Sequence, residues 1–89
     1  MEHWNLTIQG KVQGVWFRKS TQMKARDLGL NGFVRNQPDG SVYAEAEGSV
    51  ELLKAFEKWC WEGSPLSDVK SVITEKGAIV GFSDFDIQR

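Results

Sequence analysis

The hydrophobic pattern of this chain changes between the period of a strand and the period of a helix, and the order of these changes limits the possible folds. Trp4–Gln9 alternates apolar and polar residues, which is typical of a half-buried strand. Apolar residues then recur at helical spacing along Arg18–Leu28, and Gly29 provides a common end for a helix. The first third of the chain therefore predicts a strand followed by a helix.

The middle of the chain predicts a β-hairpin. Gly32–Asn36 has the character of a short strand, and Ser41–Glu47 alternates apolar and polar residues. The four residues between them are Gln-Pro-Asp-Gly, in which proline fixes φ and glycine accepts a positive φ, as a tight turn requires. Two such stretches joined by a turn are typical of a hairpin.

The last part of the chain predicts a second helix and two strands. Ser49 is suited to cap a helix that ends at Gly63–Pro65. Five residues of this segment are expected to form its buried stripe: Leu52, Leu53, Phe56, Trp59 and Cys60. Val69–Glu75 then predicts a fourth strand, and Phe82–Ile87 predicts a small extra strand at the end.

The order of elements is therefore β-α-β-β-α-β with one short strand added. Two right-handed β-α-β halves give an antiparallel sheet with both helices packed on one face, which is the ferredoxin-like α/β sandwich of the α+β class. Eighty-nine residues suffice for one such core but not for two, so we expect a single domain over residues 1–89.

Composition excludes several classes of function. The formal net charge is −1, whereas an obligate nucleic-acid binder normally has a strong basic excess. No apolar run approaches the roughly 20 residues of a membrane span, and the start of the chain does not resemble a signal peptide, so we expect a cytoplasmic monomer. A single cysteine and a single histidine exclude an internal disulfide and a cysteine-rich zinc site, and they leave little for Ser–His or Cys–His catalysis.

Gly10–Arg18 is the most informative segment because it joins the first strand to the first helix. Backbone N–H groups at a helix start have no partner within the helix and carry partial positive charge, so they can converge on an anion. Gly14 permits close approach of the backbone, and the Arg18 guanidinium matches two phosphate oxygens. The segment lacks the Lys-Ser/Thr ending of a P-loop. From physics alone, an anion site and a plain turn with a solvated arginine both remain open.

Two motifs in the chain resemble the signatures of the acylphosphatase family. The first motif is Gly10-x-Val12-Gln13-Gly14-Val15-x-Phe17-Arg18. The second is Gly32-x-Val34-Arg35-Asn36, followed by Asp39-Gly40-Ser41-Val42 and Glu47-Gly48. The match is looser through the second helix and returns near the end, at Phe82 and Phe85-Asp86-Ile87. The resemblance covers nearly the whole chain, at the usual length of a free-standing member, and implies the same ferredoxin-like fold.

The resemblance also implies a reaction, the hydrolysis of acyl phosphates to a carboxylate and inorganic phosphate, without metal, cofactor or phosphoenzyme. On this interpretation Arg18 binds the phosphate bidentately and Asn36 orients the attacking water. Backbone N–H groups complete the phosphate-binding cradle, and the residues that supply it are Gln13, Gly14, Val15, Trp16, Phe17 and Arg18. Inorganic phosphate is expected to bind at the same place, as product or inhibitor.

The chemistry of such a substrate suits this small set of residues. The carboxylate leaving group has a conjugate acid with a pKa of about 4, so no general acid is required at neutral pH. What remains is to position a water and to stabilise charge on the phosphoryl oxygens. The amide of Asn36 can hold a water but cannot take its proton, which leaves the substrate phosphate or bulk water as the acceptor.

Trp16 and Gln37 depart from the commonest residues of the family at their positions, and both could alter the mouth of the site. Trp16 and Trp61 are expected to be exposed, whereas Trp4 and Trp59 are expected to be structural. Trp16 is the candidate for contact with an apolar acyl group.

Other residues with reactive or charged side chains are assigned structural roles. His3 is expected to be exposed near the chain start, and Cys60 is expected to lie in the core. Arg35 should point away from Asn36 and form a salt bridge with Glu45 or Glu47. Lys11 could add positive potential at the cradle or be solvated.

The alternative to an enzyme is a non-catalytic anion- or RNA-binding module on the same fold. RNA recognition requires exposed aromatic residues on the open sheet face together with positive charge. Tyr43 and Phe33 could serve, but Glu45 and Glu47 lie beside them. An inactive domain of the kind fused in larger hydrogenase-maturation proteins is disfavoured because both Arg18 and Asn36 are present.

Overall fold

The computed structural model describes residues 1–88, and it contains the predicted elements in the predicted order. Their bounds are β1 Glu2–Lys11, α1 Phe17–Asp27, β2 Asn31–Asn36, β3 Val42–Gly48, α2 Val50–Glu62, β4 Asp68–Gly77 and β5 Phe85–Ile87. The first and fourth strands extend beyond the alternating residues because their backbone ladders continue past them, in β1 through the buried His3 at one end and the exposed Gly10 and Lys11 at the other. Neither helix within residues 1–88 is long and apolar enough to cross a membrane.

The strands form one sheet in the order β4-β1-β3-β2-β5. The four predicted main strands pair antiparallel, as expected for the ferredoxin-like fold. The extra strand β5 pairs with β2 in parallel, so that Val34 lies beside Ile87. To reach β2 from β4, at the opposite edge of the sheet, residues 78–84 cross the sheet; we call this segment the C-terminal strap.

The hydrophobic core lies between the sheet and the two helices. Helix α1 covers β2 and β5, and α2 covers β1, β3 and β4. The side chains that are fully buried between these layers include Leu6, Ile8, Phe17, Val34, Leu53, Phe56, Cys60 and Phe85. Burial of each large apolar side chain contributes about 1.5–3 kcal/mol to folding, so this layer holds the helices in place.

Helix α2 begins as predicted, with the Ser49 hydroxyl accepting a hydrogen bond from the Leu52 N–H. Its buried stripe is narrower than expected. Leu53, Phe56 and Cys60 are buried, but Leu52 is 36% exposed, so its assignment to the core is wrong. Residues spaced three, four and seven apart share one helix face, and Leu52 lies on the flank of that face.

His3 is buried in the structure, and the expectation of an exposed terminal residue is wrong. Strand β1 already includes Glu2, and the strap passes over the face of the sheet on which His3 lies. Its ring stacks on Phe82, and its Nδ1 lies 2.7 Å from a carboxylate oxygen of Glu47. The same carboxylate accepts hydrogen bonds from the backbone N–H groups of the strap residues Val80, Gly81 and Phe82. Glu47 therefore fixes the strap to the sheet.

Arg35 is exposed, but it forms no ion pair with either glutamate within residues 1–88. Its guanidinium carbon lies 4.9 Å from the ring centroid of Tyr43 and 5.6 Å from that of Phe33. Tyr43 is directly opposite Arg35 in the register of β2 and β3, so the ring lies within reach of the guanidinium. The expected salt bridge is replaced by a cation–π contact.

Candidate active site

The loop between β1 and α1, residues 12–16, alternates between anchored and exposed positions. Val12 and Val15 are buried, whereas Gly14 and Trp16 are exposed. The chain achieves this by adopting left-handed backbone conformations at Gly14, with φ of 72°, and at Trp16, with φ of 62°. The buried valines fix the loop against the core, and its exposed residues face solvent at the start of α1.

Two side chains, one within the loop and one outside it, hold its shape. The Gln13 side-chain amide reaches across to the hairpin turn, where Nε2 donates to the carbonyl oxygens of Gln37 at 2.8 Å and Ser41 at 2.9 Å. The buried Ser64 hydroxyl donates to the carbonyl oxygen of Val15 at 2.8 Å. The sequence predicts a backbone role for Gln13 and only a helix end at Ser64, because such long-range bonds leave no local pattern.

The backbone N–H groups at the N-terminus of α1 have no side-chain acceptor from the first turn or the N-cap. Its N-cap residue is Trp16, which provides no side-chain hydrogen bond to the helix, and the first turn contains no acidic residue. Within residues 1–88, the backbone N–H groups of residues 14–18 donate no hydrogen bond to another part of the chain. These unpaired donors carry the partial positive charge of the helix start and can bind an anion.

Arg18 and Asn36 come from different elements and border the same opening. Arg18 is half-buried in the first turn of α1, and within residues 1–88 it forms no ion pair. Asn36 ends β2, and its Oδ1 is shielded from solvent without a hydrogen-bond partner among the described residues. A buried acceptor without a donor is costly, by about 1–3 kcal/mol, and such atoms are often found at functional sites.

A cleft of about 520 Å³ connects these groups. Its lining residues are Val12, Gly14, Trp16, Phe17, Arg18, Lys19, Asn36 and Ile87. Of the predicted site residues, the structure therefore brings five to one cleft, whereas the side chain of Gln13 points to the hairpin turn and that of Val15 into the core. With two cations and no carboxylate among its lining residues, the cleft favours an anionic ligand.

Lys19 and Ile87 line the cleft although the two motifs do not predict them as site residues. Lys19 follows Arg18 directly, and this proximity to a predicted site residue is the only feature of the sequence that could have placed Lys19 in the cleft. Ile87 enters the cleft because β5 pairs in parallel with β2, which no local pattern predicts. Within residues 1–88, no three His, Cys, Asp or Glu side chains come together in a way that could hold a metal ion.

Comparison with known proteins identifies close relatives of this arrangement. A sequence model of the acylphosphatase family matches residues 4–87. An acylphosphatase of Marinobacter nauticus is 48% identical over 86 residues, covering 96% of this chain and 94% of that protein. The crystal structure of acylphosphatase from Bacillus subtilis is similar over 100% of both chains, with a TM-score of 0.98 and 34% identity. An acylphosphatase structure from Coxiella burnetii gives a TM-score of 0.95 at 37% identity, over 98% of this chain and 92% of that one.

Proposed function

This chain belongs to the acylphosphatase family and hydrolyses acyl phosphates to a carboxylate and inorganic phosphate, and we propose that the reaction takes place in the cleft at the start of α1. The expectation of an acyl phosphate hydrolase is confirmed by these relatives. The roles of individual residues are our proposal, and they rest on the contacts of the cleft.

One observation carries the proposal: unpaired donors and an unpaired acceptor border the same cleft. The donors are the N–H groups of residues 14–18 and the guanidinium of Arg18, and the acceptor is the side-chain amide of Asn36, whose Oδ1 has no partner among the described residues. A phosphoryl group offers acceptor oxygens, and the water that attacks it offers donor hydrogens. The two sets are therefore complementary to the two reactants of a phosphate-ester or anhydride hydrolysis.

The donors bind the phosphoryl group of the substrate. Arg18 contacts two of its oxygens through the planar guanidinium, and the loop N–H groups contact the others. Because the clamps from Gln13 and Ser64 fix the loop before substrate arrives, the N–H dipoles need little reorganisation as charge develops. This preorganised charge is the main catalytic contribution we assign to the chain.

The acceptor positions the water. A small rotation of the Asn36 side chain brings its amide oxygen into the cleft, where it accepts one O–H hydrogen and aims the water oxygen at phosphorus opposite the acyl oxygen. The new P–O bond forms while the bond from phosphorus to the acyl oxygen breaks, and the carboxylate leaves without protonation because its conjugate acid has a pKa of about 4. The water proton passes to a phosphate oxygen or to bulk water.

The open sheet face gives little support to an RNA-binding alternative. Phe33 is 8% exposed, and the ring of Phe82 in the strap packs edge-on against it, with centroids 5.8 Å apart. Glu45 also lies on this face, close to His3 and Tyr43. A stacking platform for bases needs free aromatic rings beside positive charge, and here the Arg35 guanidinium already lies against the Phe33 and Tyr43 rings.

We further propose that the chain acts as a cytoplasmic monomer on small acyl phosphates, with inorganic phosphate as a competing ligand. The near-neutral charge of −1 supports the absence of a nucleic-acid partner. Acyl phosphates are charged and labile, so we expect the enzyme to share a compartment with the reaction that makes them.

Hydrolysis of acetyl phosphate by purified wild-type and Arg18→Ala protein, with and without a chelator, tests this proposal. We expect phosphate release by the wild type to be unaffected by chelation. Loss of one electrostatic anchor costs about 3–4 kcal/mol of transition-state stabilisation, so Arg18→Ala should lower kcat/KM by a factor of about 10²–10³.

Arg26→Ala is the matched control. Arg26 lies on the same helix outside the cleft lining, is 48% exposed, and pairs with Asp84 at 3.1 Å. Its replacement should leave turnover near that of the wild type. Comparable losses in both variants, or an Arg18→Ala protein with most of the wild-type activity, would exclude the proposed role of Arg18; loss of turnover with chelator would exclude the metal-independent mechanism.

A further inference from the structure

Trp16 adopts a backbone conformation that its side chain disfavours. Its φ of 62° makes it the non-glycine residue with positive φ within residues 1–88. For a bulky side chain this conformation is a clear outlier, and such outliers persist mainly where they serve a function. Glycine would adopt the same φ without strain, so the presence of tryptophan here calls for a physical reason.

Packing does not supply that reason. The Trp16 side chain is 76% exposed, and within residues 1–88 it neither contacts another aromatic ring nor donates a hydrogen bond from its indole N–H. The contrast with two other tryptophans is clear. Trp4 donates to the Glu2 carboxylate, and Trp59 packs against the ring of Phe17. An exposed indole on a strained backbone contributes little to folding.

The position of Trp16 in the cleft suggests its use. The cleft has a polar part, formed by the loop N–H groups, Arg18 and Asn36, and an apolar part, to which Trp16 and Ile87 contribute. In an acyl phosphate the phosphoryl and acyl groups share one bridging oxygen. When the phosphoryl group occupies the polar part, the acyl group must lie a few ångströms away, within reach of the largest apolar surface at the rim.

We propose that the Trp16 side chain forms an acyl-group subsite that favours substrates with aromatic acyl groups over acetyl phosphate. This inference rests on the proposed function, because it takes the phosphoryl position from Arg18 and the loop. An aromatic acyl group can stack on the exposed indole and bury apolar surface of both rings, whereas a methyl group covers little of it.

The test compares kcat/KM for benzoyl phosphate and acetyl phosphate in wild-type protein and in Trp16→Gly, Trp16→Phe and Trp61→Ala. The change in the benzoyl-to-acetyl ratio between variants is the readout, because intrinsic differences in substrate reactivity cancel. We expect Trp16→Gly to lower this ratio about fivefold, mainly through a higher KM for benzoyl phosphate, as the loss of one aromatic stacking contact implies. Trp16→Phe should keep most of the ratio.

Trp61→Ala is the matched control, since Trp61 is 51% exposed on α2 and does not line the cleft. Its ratio should equal that of the wild type. A ratio unchanged in Trp16→Gly, or an equal fall for both substrates, would overturn the acyl subsite. The outcome for the phosphoryl site is separate, because that site is tested by acetyl phosphate turnover in Arg18→Ala.

Discussion

Asn36 lines the cleft and has an unpaired amide oxygen, and its role can be separated from that of Arg18. If Asn36 holds the water and not the phosphate, Asn36→Ala should lower kcat for acetyl phosphate about 100-fold, since one precisely placed hydrogen bond in the transition state is worth about 3 kcal/mol. The inhibition constant of inorganic phosphate should change less than about threefold. A loss of phosphate affinity as large as the loss of rate would make Asn36 a phosphate ligand.

Single positions show where the sequence predicts the environment of a residue and where it does not. Trp16 and Trp61 are exposed and Cys60 is buried, as their patterns indicate. His3, Arg35 and Leu52 were predicted wrongly for physical reasons that lie elsewhere in the chain. His3 is covered by the C-terminal strap, which is distant in sequence. Arg35 contacts the Tyr43 ring and not a carboxylate, and Leu52 lies on the flank of a narrow helix face.

The loop between β1 and α1 depends on a clamp from the hairpin turn, and this dependence is measurable. Gln13→Ala removes both hydrogen bonds to the carbonyl oxygens of Gln37 and Ser41. We expect the free energy of unfolding to fall by about 2 kcal/mol, at about 1 kcal/mol for each bond. Because the loop then becomes less ordered, the affinity for inorganic phosphate should also fall, by about fivefold, as measured by inhibition of acetyl phosphate hydrolysis.

Gln9→Ala is the matched control for this clamp. Gln9 lies on β1 and is exposed, and its side chain accepts a single bond from the Ser71 hydroxyl. Its loss should change stability by less than about 0.5 kcal/mol and leave phosphate affinity unaltered. Equal effects of the two substitutions would show that the clamp does not organise the loop.

Elements were easier to predict than the contacts between them. Periodicity indicates β1, β3 and both helices, because burial of one face imposes a period of two on a strand and about 3.6 on a helix, whereas the pattern of β4 is weaker. The extra strand was expected from Phe82 but begins at Phe85, since the N–H groups of Val80, Gly81 and Phe82 bind the Glu47 carboxylate instead of a neighbouring strand. The loop is held by Gln13 and Ser64, and the strap is held by Glu47. These side chains bond to residues far away in the sequence, and periodicity does not predict such bonds.

An ion pair between His3 and Glu47, on the face of the sheet opposite the helices, contributes to the stability of the whole molecule. Burial of Glu47 raises the pKa of its carboxyl, but hydrogen bonds from His3 and from three strap N–H groups outweigh burial and lower this pKa to about 2. Burial of His3 lowers the pKa of its ring, but hydrogen bonds to Glu47 and Asn5 and the charges of Glu45 and Glu47 raise it above its usual value. Both groups are therefore charged over a shared range of pH.

The stability of the fold should follow these two titrations. The contribution of Glu47 is complete above its unfolded pKa of about 4.5 and is lost as pH falls toward 2. The contribution of His3 is complete below its unfolded pKa of about 6.5 and is lost as pH rises through the higher folded value. Urea unfolding between pH 2 and 9 should thus show that the pair stabilises the fold most between about pH 4.5 and 6.5.

Glu47→Gln should lower the free energy of unfolding by about 3 kcal/mol near pH 5.5, because the buried His3 loses the carboxylate 2.7 Å from its Nδ1 and keeps the less buried Glu45 as a charged partner. It should also remove most of the fall in stability between pH 4.5 and 2. Glu62→Gln, at an exposed position of α2, should preserve the wild-type profile. If the free energy of unfolding of Glu47→Gln fell as much between pH 4.5 and 2 as that of the wild type, other carboxyls would control acid unfolding.

Cys60 is fully buried near the C-terminal end of the face that α2 packs against the sheet, and burial raises the pKa of its thiol. Thiol reagents attack the thiolate and need direct access to sulfur, so they react with this residue only while α2 has separated from the sheet. Because it is the sole cysteine of the chain, its rate of labelling in the wild-type protein measures how α2 opens spontaneously. At low reagent concentration the labelling rate depends on the equilibrium population of the open form. At high reagent concentration it approaches the rate constant of opening, and no cysteine has to be introduced for the measurement.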